Sequence, residues 1–163
     1  MKPAVVCNTG PLIALAIINR IELLKSLFRE VLIPETVHKE ILEGGASLAG
    51  VSAYREISWI KVEPLHTAPD PLLDSTLDAG EASVIQLARQ ATVELVLIDE
   101  RKARKLARSV YGLRVIGTAR VLVEAKRGGL LENVSEAIRE MRASGYWIHD
   151  DIVKFALNEA GES

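Results

Sequence analysis

The sequence predicts an α/β fold, a three-layer α/β/α sandwich around a mostly parallel central sheet. Three observations predict it. Short runs rich in Val, Ile and Leu alternate with stretches of helical periodicity along the chain. One run, Leu95 to Ile98, is apolar at every position, as a strand covered on both faces must be. The 163 residues are 48% hydrophobic but only 4% aromatic, so one domain can bury a core built mainly of aliphatic side chains.

Ala4 to Cys7 is the first strand. Gly10-Pro11 ends it and opens a helix, because proline's fixed φ suits a first turn. Leu12, Leu15, Ala16 and Asn19 follow at helical spacing. Ile21 to Phe28 is a second helix, apolar at Ile21, Leu24, Leu27 and Phe28. Val31 to Ile33 is a strand stopped by Pro34. Pro34 then starts a third helix that turns Val37, Ile41 and Leu42 to the core, with Glu40 beside that face and Gly44-Gly45 as its stop.

Ala46 to Ile57 reads as a helix and Trp59 to Val62 as a strand. Glu63 to Leu77, with its three prolines, reads as an exposed connection. Ser75 or Asp78 caps the next helix, Ala79 to Gln90. After the strand Leu95 to Ile98 come a helix over Glu100 to Tyr111 and a strand over Leu113 to Ile116. Helices over Gly117 to Arg127, Val134 to Ala143 and Ile148 to Ala160 complete the chain. No repeat, low-complexity tract or linker divides it. The expected organisation is one domain over residues 1–163, with a C-terminal helical extension from about 131.

Composition bounds the function. A formal net charge of -2 does not mark a nucleic-acid binder, so such a role needs a local basic patch. The lone Cys7 excludes an internal disulfide and a cysteine zinc site, and reads as a small buried hydrophobe. The first residues form no secretory h-region, and Pro11 to Ile18 is too short to span a bilayer. A cytoplasmic protein, not associated with a membrane, is expected.

In parallel sheets, ligands bind beyond the carboxyl ends of the strands. Asn8 and Asp99 fall there. Glu81 lies in the first turn of its helix, and Glu40 borders an apolar helix face. Each has an ordinary structural reading. Asp99 can cap a helix, Glu81 can complement a helix dipole, Glu40 can be a surface acid and Asn8 can make a turn. Taken together, three carboxylates and one amide suggest a site for a hard cation, Mg²⁺ or Mn²⁺.

Four segments carry a family resemblance: VVCNTGPLIALA, IPETVHKEIL, LDAGEASVIQLA and LVLIDERKARKLA. In this order they resemble the motifs of the PIN-domain nucleases, specifically a prokaryotic group related to VapC-type toxins. GLRVIGTARVLVEAKRGGL is similar to the continuation in that group. The resemblance implies a PIN-like fold and a metal-dependent endoribonuclease, the toxin of a type II toxin–antitoxin pair. It implies Asn8, Glu40, Glu81 and Asp99 as catalytic and metal-binding positions, with Glu40 orienting the attacking water or holding a second ion. Thr9 and Thr118 are implied as supporting hydrogen-bond donors. An antitoxin partner and a homodimer follow from the same resemblance, with the apolar helices Pro11 to Phe28 as the surface for either.

The chain departs from the family at Asn8, where Asp is commonest. An amide keeps one oxygen ligand but removes a full negative charge. The site is then active with weaker metal affinity, or a degenerate module that binds RNA or a protein without cutting, or a toxic nuclease attenuated by this one substitution. Glu81 in place of the more usual Asp adds only a methylene.

Arg101, Arg104, Lys105 and Arg108 form a basic stripe opposite Ala103, Leu106, Ala107 and Val110, beginning beside Asp99. The stripe is either a solvated helix face or a nucleic-acid-binding surface. Trp59, Tyr146 and Trp147 read as core or interface packing, with base stacking as the alternative. His38, His66 and His149 show no metal-ligand spacing. A nucleotide-binding or phosphotransfer domain finds no support, since GxGxxG, GxxxxGK[ST] and a DxD pair are absent.

Overall fold

The computed structural model describes residues 2–43 and 48–162. The chain runs β1 (Ala4–Cys7), α1 (Thr9–Ile17), α2 (Glu22–Leu27), β2 (Glu30–Pro34), α3 (Glu35–Glu43), α4 (Leu48–Arg55) and β3 (Ile60–Glu63). It continues with α5 (Pro71–Thr76), α6 (Ala79–Ala91), β4 (Leu95–Leu97), α7 (Arg101–Ser109) and β5 (Arg114–Ile116). It ends in α8 (Thr118–Arg127), α9 (Val134–Ala143) and α10 (Asp150–Glu159). The Gly44-Gly45 helix stop lies outside the described residues.

The five strands form one parallel sheet in the order β3-β2-β1-β4-β5. The chain builds outward from β1 to β3, then returns to the other side of β1 for β4 and β5. The reversal falls between β1 and β4, whose register pairs Val6 with Val96 and Cys7 with Leu97. Val5, Val6 and Cys7, like Val96, Leu97 and Ile98, have no exposed surface, as central strands covered by helices require. α6 lies against β1, β2 and β4 with α3 and α5 beside it, and α8 gathers α1, α2, α9 and α10.

Two expectations about the elements change. The proline-rich connection holds the short helix α5. Asp70 caps it, accepting from the Leu72 amide at 3.1 Å, Pro71 starts it, and Leu73 anchors it in the core. Proline breaks a helix interior but favours its first position. The cap of α7 is Glu100, which accepts from the Lys102 and Ala103 amides at 3.1 and 2.9 Å, so Asp99 is released from that role. The apolar residues between Pro11 and Phe28 turn inward. Leu12, Leu15 and Leu24 are fully buried, so these side chains fill the core. Among the described residues no helix is long and apolar enough to cross a membrane.

Candidate functional site

The reversal of strand order places the ends of β1 and β4 side by side. The Asn8 amide donates to the Leu97 carbonyl at 3.0 Å, so Asn8 and Asp99 leave neighbouring strands at the same edge. Asn8 is the N-cap residue of α1, but its side chain caps no amide.

Asp99 is held by three donors. The Thr118 amide reaches Oδ1 at 2.7 Å and the Thr118 hydroxyl reaches Oδ2 at 2.5 Å. The third donor is the Tyr146 hydroxyl, also on Oδ2. Thr118 is fully buried at the start of α8, so its grip on Asp99 is fixed by the core. A Cβ on Gly10 would lie 3.0 Å from the Tyr146 hydroxyl, so the phenol stands close against the first turn of α1. Burial and the adjacent Asp99 push the Tyr146 hydroxyl well above the ordinary tyrosine range, keeping it a proton donor. Arg104 donates to the Ile98 carbonyl at 2.8 Å, and the Asp99 charge partly offsets the lowering of its pKa by burial.

The other two acids form a second group. Glu40 accepts from the Thr9 hydroxyl at 3.2 Å, which ties α3 to the first residue of α1. Its carboxylate lies over the first turn of α6, where a Cβ on Gly80 would collide with Glu40 Oε1. Glu81 follows directly and is buried. Asp78 caps α6 by accepting from the Glu81 amide at 2.8 Å. Burial first, then the charges of Asp78, Glu100 and Glu40, push Glu81 up to about 7. Glu40 is raised too, chiefly by burial, with the Thr9 bond opposing.

The structure thus joins Thr9 to Glu40, Glu40 to Glu81, and Thr118 to Asp99. Among the described residues, no three of His, Cys, Asp or Glu converge as a metal-holding group. The donor chemistry nevertheless fits Mg²⁺ or Mn²⁺. All candidate ligands are oxygens, and Glu40 and Glu81 have no cationic side-chain partner among the described residues. Clustered, partly desolvated carboxylates are the state a hard cation relieves.

No motif or spacing places Tyr146 at this site, because its loop lies 47 residues from Asp99. Gly145, at φ +98°, makes the left-handed turn out of α9 that brings it in. Of the basic stripe, Arg101, Lys105 and Arg108 are solvent-exposed and Arg104 is half-buried. Arg101, Arg104 and Arg108 line a groove that opens onto Asp99. The histidines stand apart from the acids. His38 pairs with the Tyr54 hydroxyl at 2.7 Å, and His149 caps α10.

No curated protein matches the chain. A family model described as a PIN domain matches residues 4–162. Given that match over nearly its whole length, and a parallel sheet with acids at its reversal point, the chain belongs to the DUF3368 family of PIN domains.

Proposed function

We propose that this chain is a Mg²⁺- or Mn²⁺-dependent endoribonuclease, working as one PIN-like unit with a C-terminal helical extension. The observation that carries this reading is the placing of the Glu40 carboxylate over the first turn of α6, beside the buried Glu81, which burial first and then the charges of Asp78, Glu100 and Glu40 lift to about 7. PIN membership points to nuclease chemistry and nucleic-acid binding. Glu40 and Glu81 would hold the cation, with Asp99 and Asn8 completing the edge of the site. A divalent ion bound there would neutralise the acids, polarise a scissile phosphate and lower the pKa of a water. Glu40, made more basic by burial and steered by Thr9, would orient that water and take its proton. Thr118 fixes the Asp99 carboxylate, and the cations of α7 receive the phosphate backbone.

The toxin role, the VapC-like subgroup, a cognate antitoxin, a homodimer and a cytoplasmic location belong to this proposal. Growth arrest on expression, relieved by the product of a neighbouring gene, tests the toxin role. Sedimentation of the protein with and without that product tests the assembly.

A second reading is a binding module that does not cut. The neutral Asn8 and the doubly occupied Asp99 Oδ2 favour it. Cleavage of a mixed RNA panel, with Mg²⁺, Mn²⁺ or chelator, separates the two. Metal-dependent cutting abolished by Asp99→Ala establishes the nuclease. An inert wild type activated by Asn8→Asp marks an attenuated site. Silence from all three proteins leaves the binding module.

A further inference from the structure

The groove beside Asp99 has two chemically different walls and a volume of about 800 Å³. One wall is α7, which carries Arg101, Arg104 and Arg108 into it. Among the described residues, no cation of α7 forms an ion pair with an acid. The basic residues of α8 behave differently: Arg120, Lys126 and Arg127 are paired to Glu124, Glu159 and Glu162. Among the described residues, the cations of α8 are thus paired and those of α7 are not.

The facing wall is apolar and open. Trp147 and Phe155 are each 65% exposed and Ile152 is 48% exposed. Trp147 was expected in packing, but only one of its faces is covered. The Arg142 guanidinium lies 3.9 Å from its ring centroid. Arg142 is itself tied to the Ile148 carbonyl and, at 2.8 Å, to Asp150. The indole is therefore a plate held in place before any ligand arrives.

We infer that this groove is a subsite for an unpaired nucleic-acid strand, with Trp147 as the base-stacking platform and α7 as the phosphate rail. This rests on the nuclease reading and specifies how its substrate is presented. Arg101, Arg104 and Arg108 are spaced three and four residues apart, about 4.5 and 6 Å along a helix, which suits successive phosphates of an extended strand. A base on the free face of Trp147, with Phe155 nearby for its neighbour, gives sequence-tolerant binding. A duplex keeps its base faces stacked on each other and cannot offer them. Among the described residues, the acids lining the groove are Asp99, at the cleavage end, and the solvent-exposed Asp151.

The test uses the full chain with Trp59→Phe, which leaves Trp147 as the sole tryptophan of two, in chelator so that no strand is cut. An eight-nucleotide single-stranded RNA is titrated while indole fluorescence and labelled-strand anisotropy are followed. Saturable quenching is expected, with none from a duplex of the same length. Trp147→Ala should weaken binding about tenfold or more and Trp147→Phe by less than about threefold. Arg104→Ala with Arg108→Ala should flatten the salt dependence, which Trp147→Ala leaves intact. The inference falls if Trp147→Ala binds as tightly as the parent. It also falls if inorganic polyphosphate quenches equally, or if only an acidic amphipathic peptide does. RNA cleavage that persists beside an unaltered Trp147→Ala affinity overturns the subsite and spares the nuclease. Neither binding nor cleavage overturns both.

Discussion

Tyr146 and Asp99, 47 residues apart, are joined by a hydrogen bond from the phenol to Oδ2, the oxygen that also accepts the Thr118 hydroxyl. The phenol belongs to the loop between α9 and α10, and it meets the first turn of α1 at Gly10. A cation approaching Oδ2 must therefore displace a donor. Tyr146→Phe is expected to bind Mn²⁺ about three- to tenfold more tightly, while losing about 1 kcal/mol of stability, the usual size of one such bond. Calorimetric titration without RNA reads the first effect and thermal melting the second. Weaker Mn²⁺ binding would instead assign the phenol to holding Asp99 in its ligating pose.

Gly80 tests the Glu40 position without touching a carboxylate. A Cβ there would press on Glu40 Oε1, the mobile end of a long side chain, so the carboxylate moves and its bond from Thr9 breaks. Alanine is a better helix former than glycine, by up to about 1 kcal/mol. Gly80→Ala should therefore melt at or slightly above the wild-type temperature while RNA cleavage falls at least tenfold. Full activity would remove Glu40 from the chemistry, and a collapsed melting temperature would show that the contact is structural.

The sheet was legible because each strand is a short aliphatic run, and Val5, Val6, Leu97 and Ile98 must be covered on both faces. The helix periods were legible for the same reason. Their ends were less so: Asp99 and Glu100 are adjacent acids, and only backbone geometry decides that Glu100 caps α7. The missed helix α5 shows proline read as a breaker where it serves as a starter. The site positions were readable from their places at strand ends and in first helix turns. The contacts that govern them were not. Tyr146 reaches Asp99 from the turn that follows α9, and Trp147 lies against Arg142, which is held by a loop carbonyl.

Glu81 makes stability depend on pH in a direction opposite to a salt-bridged acid. Its folded value of about 7 lies above the ordinary 4.5, so the folded state binds the extra proton between these values. Its contribution to stability is greatest below about 4.5, shrinks as pH rises, and is lost above about 7. Without metal, Glu81→Gln should remove this slope and stabilise the fold at pH 8 by about 1–3 kcal/mol relative to wild type. Urea melts of both proteins at pH 5 and pH 8 check it. Equal differences at the two values would mean that Glu81 ionises normally.

Asn8→Asp adds a charge where the chain lacks one. The new carboxylate would leave β1 beside Asp99 and share the edge with Glu40 and Glu81, neither of which has a cationic side-chain partner among the described residues. Without metal the substitution should lower the melting temperature, because each added like charge in a crowded, partly desolvated site raises its neighbours' cost of ionising. With metal the sign reverses, since a hard cation gains from every anionic oxygen it meets. The Mg²⁺-induced rise in melting temperature should therefore be larger for Asn8→Asp than for wild type, in line with a binding constant increased about tenfold. The comparison needs no RNA, so it reads the metal site separately from cleavage. An equal Mg²⁺ response in both proteins would place residue 8 outside the reach of the ion, leaving Glu40, Glu81 and Asp99 to hold it.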